Sequence, residues 1–267
     1  MKTGELTDYL DSIFHPEYQE DYDNSGFLVG RRSDECSGAL VALDMTSEVL
    51  REAQELGYNM VVTHHPLIFR GVKRMTDVSA DGRLLLNIVQ SGVSVYAAHT
   101  NLDNLPWGVS GELAARLGLH DCKVLSAKPL ADSEGRIGAG MVGTLPEAMT
   151  AEAFLLKVKE ILSIPVIRTS HLGPRAAEAI VRRVALCGGS GAEFTDAAIA
   201  AGADIYLTAD LKYHDFQHTD GHMLLADIGH YESEQFAKEI IFRAISEKFS
   251  NFACRISERQ HGIVSYI

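Results

Sequence analysis

The chain has 267 residues, 46% of them hydrophobic and 22% charged, enough to bury one large core or two moderate ones and unlike a disordered or low-complexity protein. Its formal net charge is −12, and Arg182-Arg183 is taken as its one basic stretch. Because counterion release needs clustered Lys and Arg, this argues against non-specific affinity for nucleic acid or an anionic membrane.

No apolar run approaches the length of a membrane span, and Met1-Lys2-Thr3-Gly4-Glu5 lacks the apolar core of a secretion signal, so the cytoplasm is the expected compartment. Cys36, Cys122, Cys187 and Cys254 are dispersed with no C-x-x-C pair. They read as reduced packing thiols rather than as a zinc ribbon or a disulfide framework.

In chain order, Val41-Ala42-Leu43-Asp44 reads as a strand, followed by a Thr/Ser turn, a helix around 49–56, Gly57 and a second strand ending at Thr63. His64-His65-Pro66 comes directly behind it. Neighbouring strand side chains point to opposite faces, so two consecutive imidazoles converge only where the chain is already turning, as Pro66 favours. Imidazole is the commonest metal ligand among side chains. A strand over 92–98 is then followed by His99-Thr100-Asn101-Leu102-Asp103, again ligand types just past a strand end.

Leu113, Ala114 and Leu117 mark a helix that Gly118 stops. Residues 135–143 are rich in glycine and read as a bulged strand. Thr150 is placed to cap a helix through Ile161 with Phe154, Leu155, Val158 and Ile161 inward. The polar stretch 123–134 is taken as the domain boundary, dividing the chain into 1–125 and 126–267, with C-terminal elements returning to the first half.

The second half repeats the first. Val184-Ala185-Leu186-Cys187 is followed by a Gly/Ser turn, a helix around 194–201, Gly202 and a strand ending at Thr208, which puts His64-His65 in register with Ala209-Asp210. Each copy then runs through a further helix to a further strand, one ending near His99 and the other near His230. The fold expected is α/β, with two interlinked, pseudo-repeated domains whose strand ends face a shared cleft, the usual place for ligands in open α/β sheets.

Three groups near these strand ends carry chemistry. His230 and Glu234, four apart at the start of an amphipathic helix, share one face. Thr208-Ala209-Asp210-Leu211-Lys212-Tyr213-His214-Asp215 is dense in titratable groups, and Asp210 and His214 are open to three readings: an orienting partner of a ligand, a general acid, or ordinary solvated loop residues. The loop Cys187-Gly188-Gly189-Ser190-Gly191 is open to two readings, a phosphate-holding turn or a tight structural one, and it fits neither a Walker loop nor G-x-G-x-x-G.

The order H-H-P, H-T-N-L-D and G-H-Y-E-S-E, with the early Asp23-Asn24-Ser25-Gly26-Phe27-Leu28-Val29-Gly30, resembles the Nif-three-like family of dinuclear metal-centre proteins, often named GTP cyclohydrolase 1 type 2 homologues. The likeness runs through nearly the whole chain. It implies two interlinked α/β domains, a metal site in the cleft between them, and a homo-hexameric ring. It also implies two divalent ions per subunit held by His64, His65, Asp103, His230 and Glu234, with Glu234 bridging. Tyr22 stands where a Trp often precedes D-N, and T-A-D where T-G-D is frequent. The middle of the chain is too short for the domain that some members insert there.

Five N and O ligands without a thiolate suit zinc, iron or manganese, and so few protein ligands leave positions for water. Metal-assisted hydrolysis of a small molecule, a nucleotide being the first candidate, follows from that chemistry. His99, His214 and Asp210 are the acid/base candidates. The alternative is a metal-binding ring for storage, delivery or scaffolding of a partner. A nucleic-acid or membrane partner is not expected.

Overall fold

The computed structural model describes residues 1–129, 135–170, 179–219 and 221–265. The chain begins with α1 (Thr3–Phe14), β1 (Gly26–Val29), β2 (Ala39–Ala42), α2 (Ser47–Leu56), β3 (Met60–Thr63), α3 (Ala80–Ser91) and β4 (Ser94–Ala97). There follow α4 (Thr100–Asp103), α5 (Val109–Leu117), β5 (His120–Ala127), β6 (Gly138–Thr150), α6 (Ala151–Leu162), β7 (Arg168–Thr169) and β8 (Ile180–Ser190). The remainder is α7 (Thr195–Ala200), β9 (Ile205–Ala209), α8 (Tyr213–His218), β10 (Leu224–Asp227), α9 (His230–Glu234), α10 (Ala237–Lys248) and β11 (Cys254–Ile256). These elements form two compact units, one of residues 1–102 and 237–261, the other of 103–236 and 262–267.

The first unit is built on a five-stranded sheet of order β1-β4-β3-β2-β11. β2, β3, β4 and β11 are parallel, and β1 closes one edge antiparallel to β4. β2, β3 and β4 are buried at every position, which is why they read as continuous apolar runs rather than as alternating ones. α2 starts where the Thr46 hydroxyl accepts from the Val49 amide at 3.2 Å, and stops at Gly57 with φ +70°. Between those caps Val49, Leu50 and Ala53 pack on Leu40, Ala42 and Val61 of the sheet. The C-terminal segment is tied back by buried Glu52, which accepts from the Ser257 hydroxyl at 2.5 Å and the Glu258 amide at 3.0 Å.

The second unit has a six-stranded sheet of order β5-β6-β8-β9-β10-β7. β8, β9 and β10 are parallel, whereas β5, β6 and β7 join in antiparallel fashion. Thr150 caps α6 by accepting from the Ala153 amide at 3.2 Å. Phe154, Val158 and Leu162 of that helix pack with Leu113 and Leu117 of α5 in one core cluster; Leu155 and Ile161, expected inward, lie at its margin, partly buried. A second cluster gathers Val142, Ala185, Tyr206 and Leu225 with Ala198 of α7.

β2-α2-β3-α3-β4 and β8-α7-β9-α8-β10 share one topology, with Thr63 paired to Ala97 and Thr208 to Asp227. The division expected at 125/126 falls inside β5, a strand hydrogen-bonded to β6. β5 is polar because it is the exposed edge of its sheet, and its composition therefore looks like that of a linker. Residues 130–134 of the expected boundary stretch lie outside the described residues. No described helix is long and apolar enough to cross a membrane.

Candidate metal centre

In the first unit, strand pairing continues past β3: the His64 and His65 amides donate to the Ala42 and Leu43 carbonyls at 3.2 and 2.8 Å. The Thr63 hydroxyl then donates to the His65 carbonyl at 2.7 Å, a bond that closes only where the backbone doubles back. That turn overrides strand alternation and brings the two rings to 5.0 Å. His99, just past β4, lies 5.3 Å from His64 and 5.5 Å from His65, ring to ring. Each of the three rings offers a nitrogen, and these nitrogens all lie within 4.8 Å of one another, so the group can hold a metal ion.

Every one of these rings is oriented through Nδ1. His64 Nδ1 lies 2.7 Å from the Ala98 carbonyl oxygen, which only accepts, so this nitrogen carries the proton. His65 Nδ1 lies 2.7 Å from Asp44 Oδ1, and His99 Nδ1 lies 2.7 Å from Asp23 Oδ1. A ring whose Nδ1–H is donated presents a lone pair at Nε2, as a metal-binding imidazole requires. Asp44 is steadied in turn by the Gln260 amide at 2.8 Å. Burial works against the charge on Asp23, yet the hydrogen bond and charge of His99, with the hydroxyls of Thr100 and Ser25, hold its carboxyl well below the usual range.

In the second unit, α9 places His230 one turn from Glu234, with Nε2 to Oε2 at 2.9 Å. His230 Nδ1 meets Asp210 Oδ2 at 2.7 Å. Burial alone would depress the imidazole, but hydrogen bonds and charge from Glu234 and then Asp210 outweigh it and push its pKa up to about 9. Burial first, then the charges of Asp103, Glu234 and Glu193, pushes the Cys187 thiol far up, so Asp103 and Glu234 both act at this point of the unit.

The glycine loop explains how Glu234 fits. A Cβ on Gly189, whose φ is +63°, would lie 1.9 Å from Glu234 Oε1. The phosphate reading of this loop is not supported, because its first amides are already engaged: Gly188 N donates to Ser110 Oγ at 3.2 Å and Gly189 N to Ser233 Oγ at 3.0 Å. It is a structural turn that seats a carboxylate.

Of the acid/base candidates, His99 joins His64 and His65, and Asp210 serves as the orienting partner of His230. His214 instead stands exposed at the start of α8, its ring 5.3 Å from that of Tyr213. Sequence reasoning did not single out Asp23 or Asp44, although Asp44 directly follows the apolar run of β2 and Asp23 opens the D-N motif.

The donor set fits divalent ions, since imidazole nitrogens and carboxylates with fixed orientation suit zinc, iron or manganese and no thiolate competes. Comparison with known proteins gives the family. The family model of Duf34/NIF3 (NGG1p interacting factor 3) matches residues 1–261. This chain belongs to that family. A relative from Clostridium perfringens, named GTP cyclohydrolase 1 type 2 homolog, is 32% identical over 88% of this chain and 87% of its own length. One of the same name from Streptomyces coelicolor is 35% identical over 87% of this chain and 81% of its own. Among solved structures, Staphylococcus aureus protein SA1388 superposes with a TM-score of 0.89 at 28% identity, covering 100% of this chain and 99% of that one. The Bacillus cereus protein related to NIF3 superposes at 0.91, with the same coverage and 22% identity, which speaks for the fold alone.

Proposed function

We propose that this Duf34/NIF3 chain binds two divalent ions and uses them to hydrolyse a nucleotide or a related small molecule. The observation that carries the reading is the recurrence of one device: His64, His65, His99 and His230 each have Nδ1 held by a carboxylate or a carbonyl. Nothing in packing alone requires the rings of His64, His65 and His230 to be oriented alike, whereas metal binding does, and the same device on His99 serves proton transfer. In this reading the ligands are His64, His65, Asp103, His230 and Glu234, with Glu234 bridging. Bound ions would activate water and polarise an incoming oxygen. Asp44 and Asp210 keep His65 and His230 in the ligating tautomer, and the Asp23–His99 pair handles a proton.

The test is elemental analysis of protein purified without added metal or chelator. Two ions per chain are expected. Glu234→Gln should weaken both sites, because a bridging carboxylate serves both ions, whereas His65→Ala should weaken mainly one. A fully loaded wild type holding a single ion per chain would end the dinuclear reading. Turnover of GTP and other nucleotides should fall on chelation and return with metal.

The exposed position of His214 leaves the Asp23–His99 pair to handle protons, and with one acid/base candidate removed a second reading gains ground, a ring for metal storage, delivery or scaffolding. Protein that retains its ions and turns over none of the nucleotides would decide for that reading. Closed assembly is part of both, and a homo-hexamer is proposed on the family resemblance. Light scattering at micromolar concentration should return six chains; a stable monomer would remove the proposal.

A further inference from the structure

The segment behind H-H-P carries features that metal binding does not use. Tyr22 is 61% exposed and Phe69 43% exposed, and their rings lie 6.2 Å apart at 50°. Phe69 in turn stands 6.2 Å from the His99 ring, edge to face. Two large aromatic rings left in water beside a histidine cluster forgo much of the burial energy that such rings normally contribute.

They are also held in place. Asn24 donates from Nδ2 to the Ile68 carbonyl at 2.5 Å, fixing the residue before Phe69, and Asp23, next to Tyr22, carries the His99 bond. The D-N motif thus fixes the positions beside both rings while it orients His99.

Directly after Phe69 come Arg70, Lys73 and Arg74, all exposed, and none makes an ion pair with a described residue. A net charge of −12 hides these three cations within five residues. Exposed cations that follow an exposed aromatic residue in one loop bring together the two elements used to bind phosphorylated bases, a stacking surface and an electrostatic hold on phosphate.

We propose that Tyr22 and Phe69 form a stacking platform for a planar heteroaromatic ring, and that Arg70, Lys73 and Arg74 hold the phosphate attached to it. This names the substrate class of the hydrolase reading, and it rests on that reading for the place where chemistry occurs. It also moves phosphate recognition away from the glycine loop, whose first two amides are occupied.

The experiment is titration calorimetry with GTP, guanosine and inorganic tripolyphosphate, on metal-loaded and on chelator-stripped full-length protein, with metal content measured for every sample. Phe69→Leu should weaken GTP about tenfold, the loss of one stacking partner, and leave tripolyphosphate unchanged. The triple variant Arg70→Gln/Lys73→Gln/Arg74→Gln should weaken GTP and tripolyphosphate together, flatten the salt dependence of both and leave guanosine unchanged. All these residues are exposed, so circular dichroism should match wild type.

Wild-type protein that binds no GTP at millimolar concentration in either state overturns the proposal. So do variants that bind GTP as wild type does, and a loop that serves to dock another protein would give that result. Failure of the metal reading looks different: ions are absent, while the two variants still separate ring from phosphate in stripped protein.

Discussion

Gly189→Ala is expected to cost the chain its metal while changing its stability no more than a matched control does. The added Cβ would sit 1.9 Å from Glu234 Oε1 and 2.8 Å from Glu234 Cδ. The obstructing atoms are the end of a side chain, so the fold relieves the clash by moving the carboxylate rather than the backbone. Glu234 is buried, 4% exposed, and its carboxylate cannot swing aside and still meet His230 at 2.9 Å.

Gly202→Ala supplies the control. Gly202 has φ +68°, close to the +63° of Gly189, but nothing lies within 4 Å of its Cβ position. Both variants carry the cost of a left-handed alanine, about 1–2 kcal/mol, read by denaturant unfolding of metal-free protein. Only Gly189→Ala should lose metal, by an amount comparable to Glu234→Gln. Full metal occupancy in Gly189→Ala would mean that the glycine loop does not set the position of this carboxylate.

The parts of this molecule that were legible in the sequence are those written in short-range patterns. β2, β3, β4, β9, β10 and the 184–187 stretch of β8 announce themselves because strand segments buried on both faces read as unbroken apolar runs ended by glycine or polar residues. The histidines were visible because each follows such a run directly. The repeat was visible because both copies keep the same distance from a helix-ending glycine, φ +70° at Gly57 and +68° at Gly202, to the end of the next strand.

Partners that depend on distant pairing were not legible. Asp23 reaches His99 across 76 positions, and Asp44 reaches His65 across 21, with no periodicity to link them. Edge strands misled for a related reason: β5 has exposed side chains, so its polarity resembles that of a linker until its pairing with β6 is seen. Likewise α10 and β11 return to the first unit because β11 pairs in parallel with β2, a choice made by tertiary packing. The convergence of His64 and His65 needed a hydroxyl bond from Thr63 that the dipeptide itself does not display.

His99→Ala should separate holding metal from using it. His99 shares with His64 and His65 a cluster of nitrogens within 4.8 Å, and like His65 it leans on a carboxylate, but the Asp23 side chain is 0% exposed where that of Asp44 is 39% exposed. Asp23 is a carboxylate kept charged by His99 together with Thr100 and Ser25, the last two accounting for contacts of 2.5 and 2.8 Å. A buried carboxylate on Nδ1 fixes the tautomer and orientation of the ring and leaves Nε2 to pass a proton, which is what a general acid or base needs. The expected result is that His99→Ala retains its ions by elemental analysis and loses about 10²- to 10⁴-fold in turnover, with Asp23→Asn losing less because the ring itself remains. His214→Ala should change neither, since its ring is exposed and stands against that of Tyr213. If His99→Ala instead strips the metal, His99 is a ligand, the proton-handling role falls vacant, and the storage or scaffold reading gains what the hydrolase reading loses.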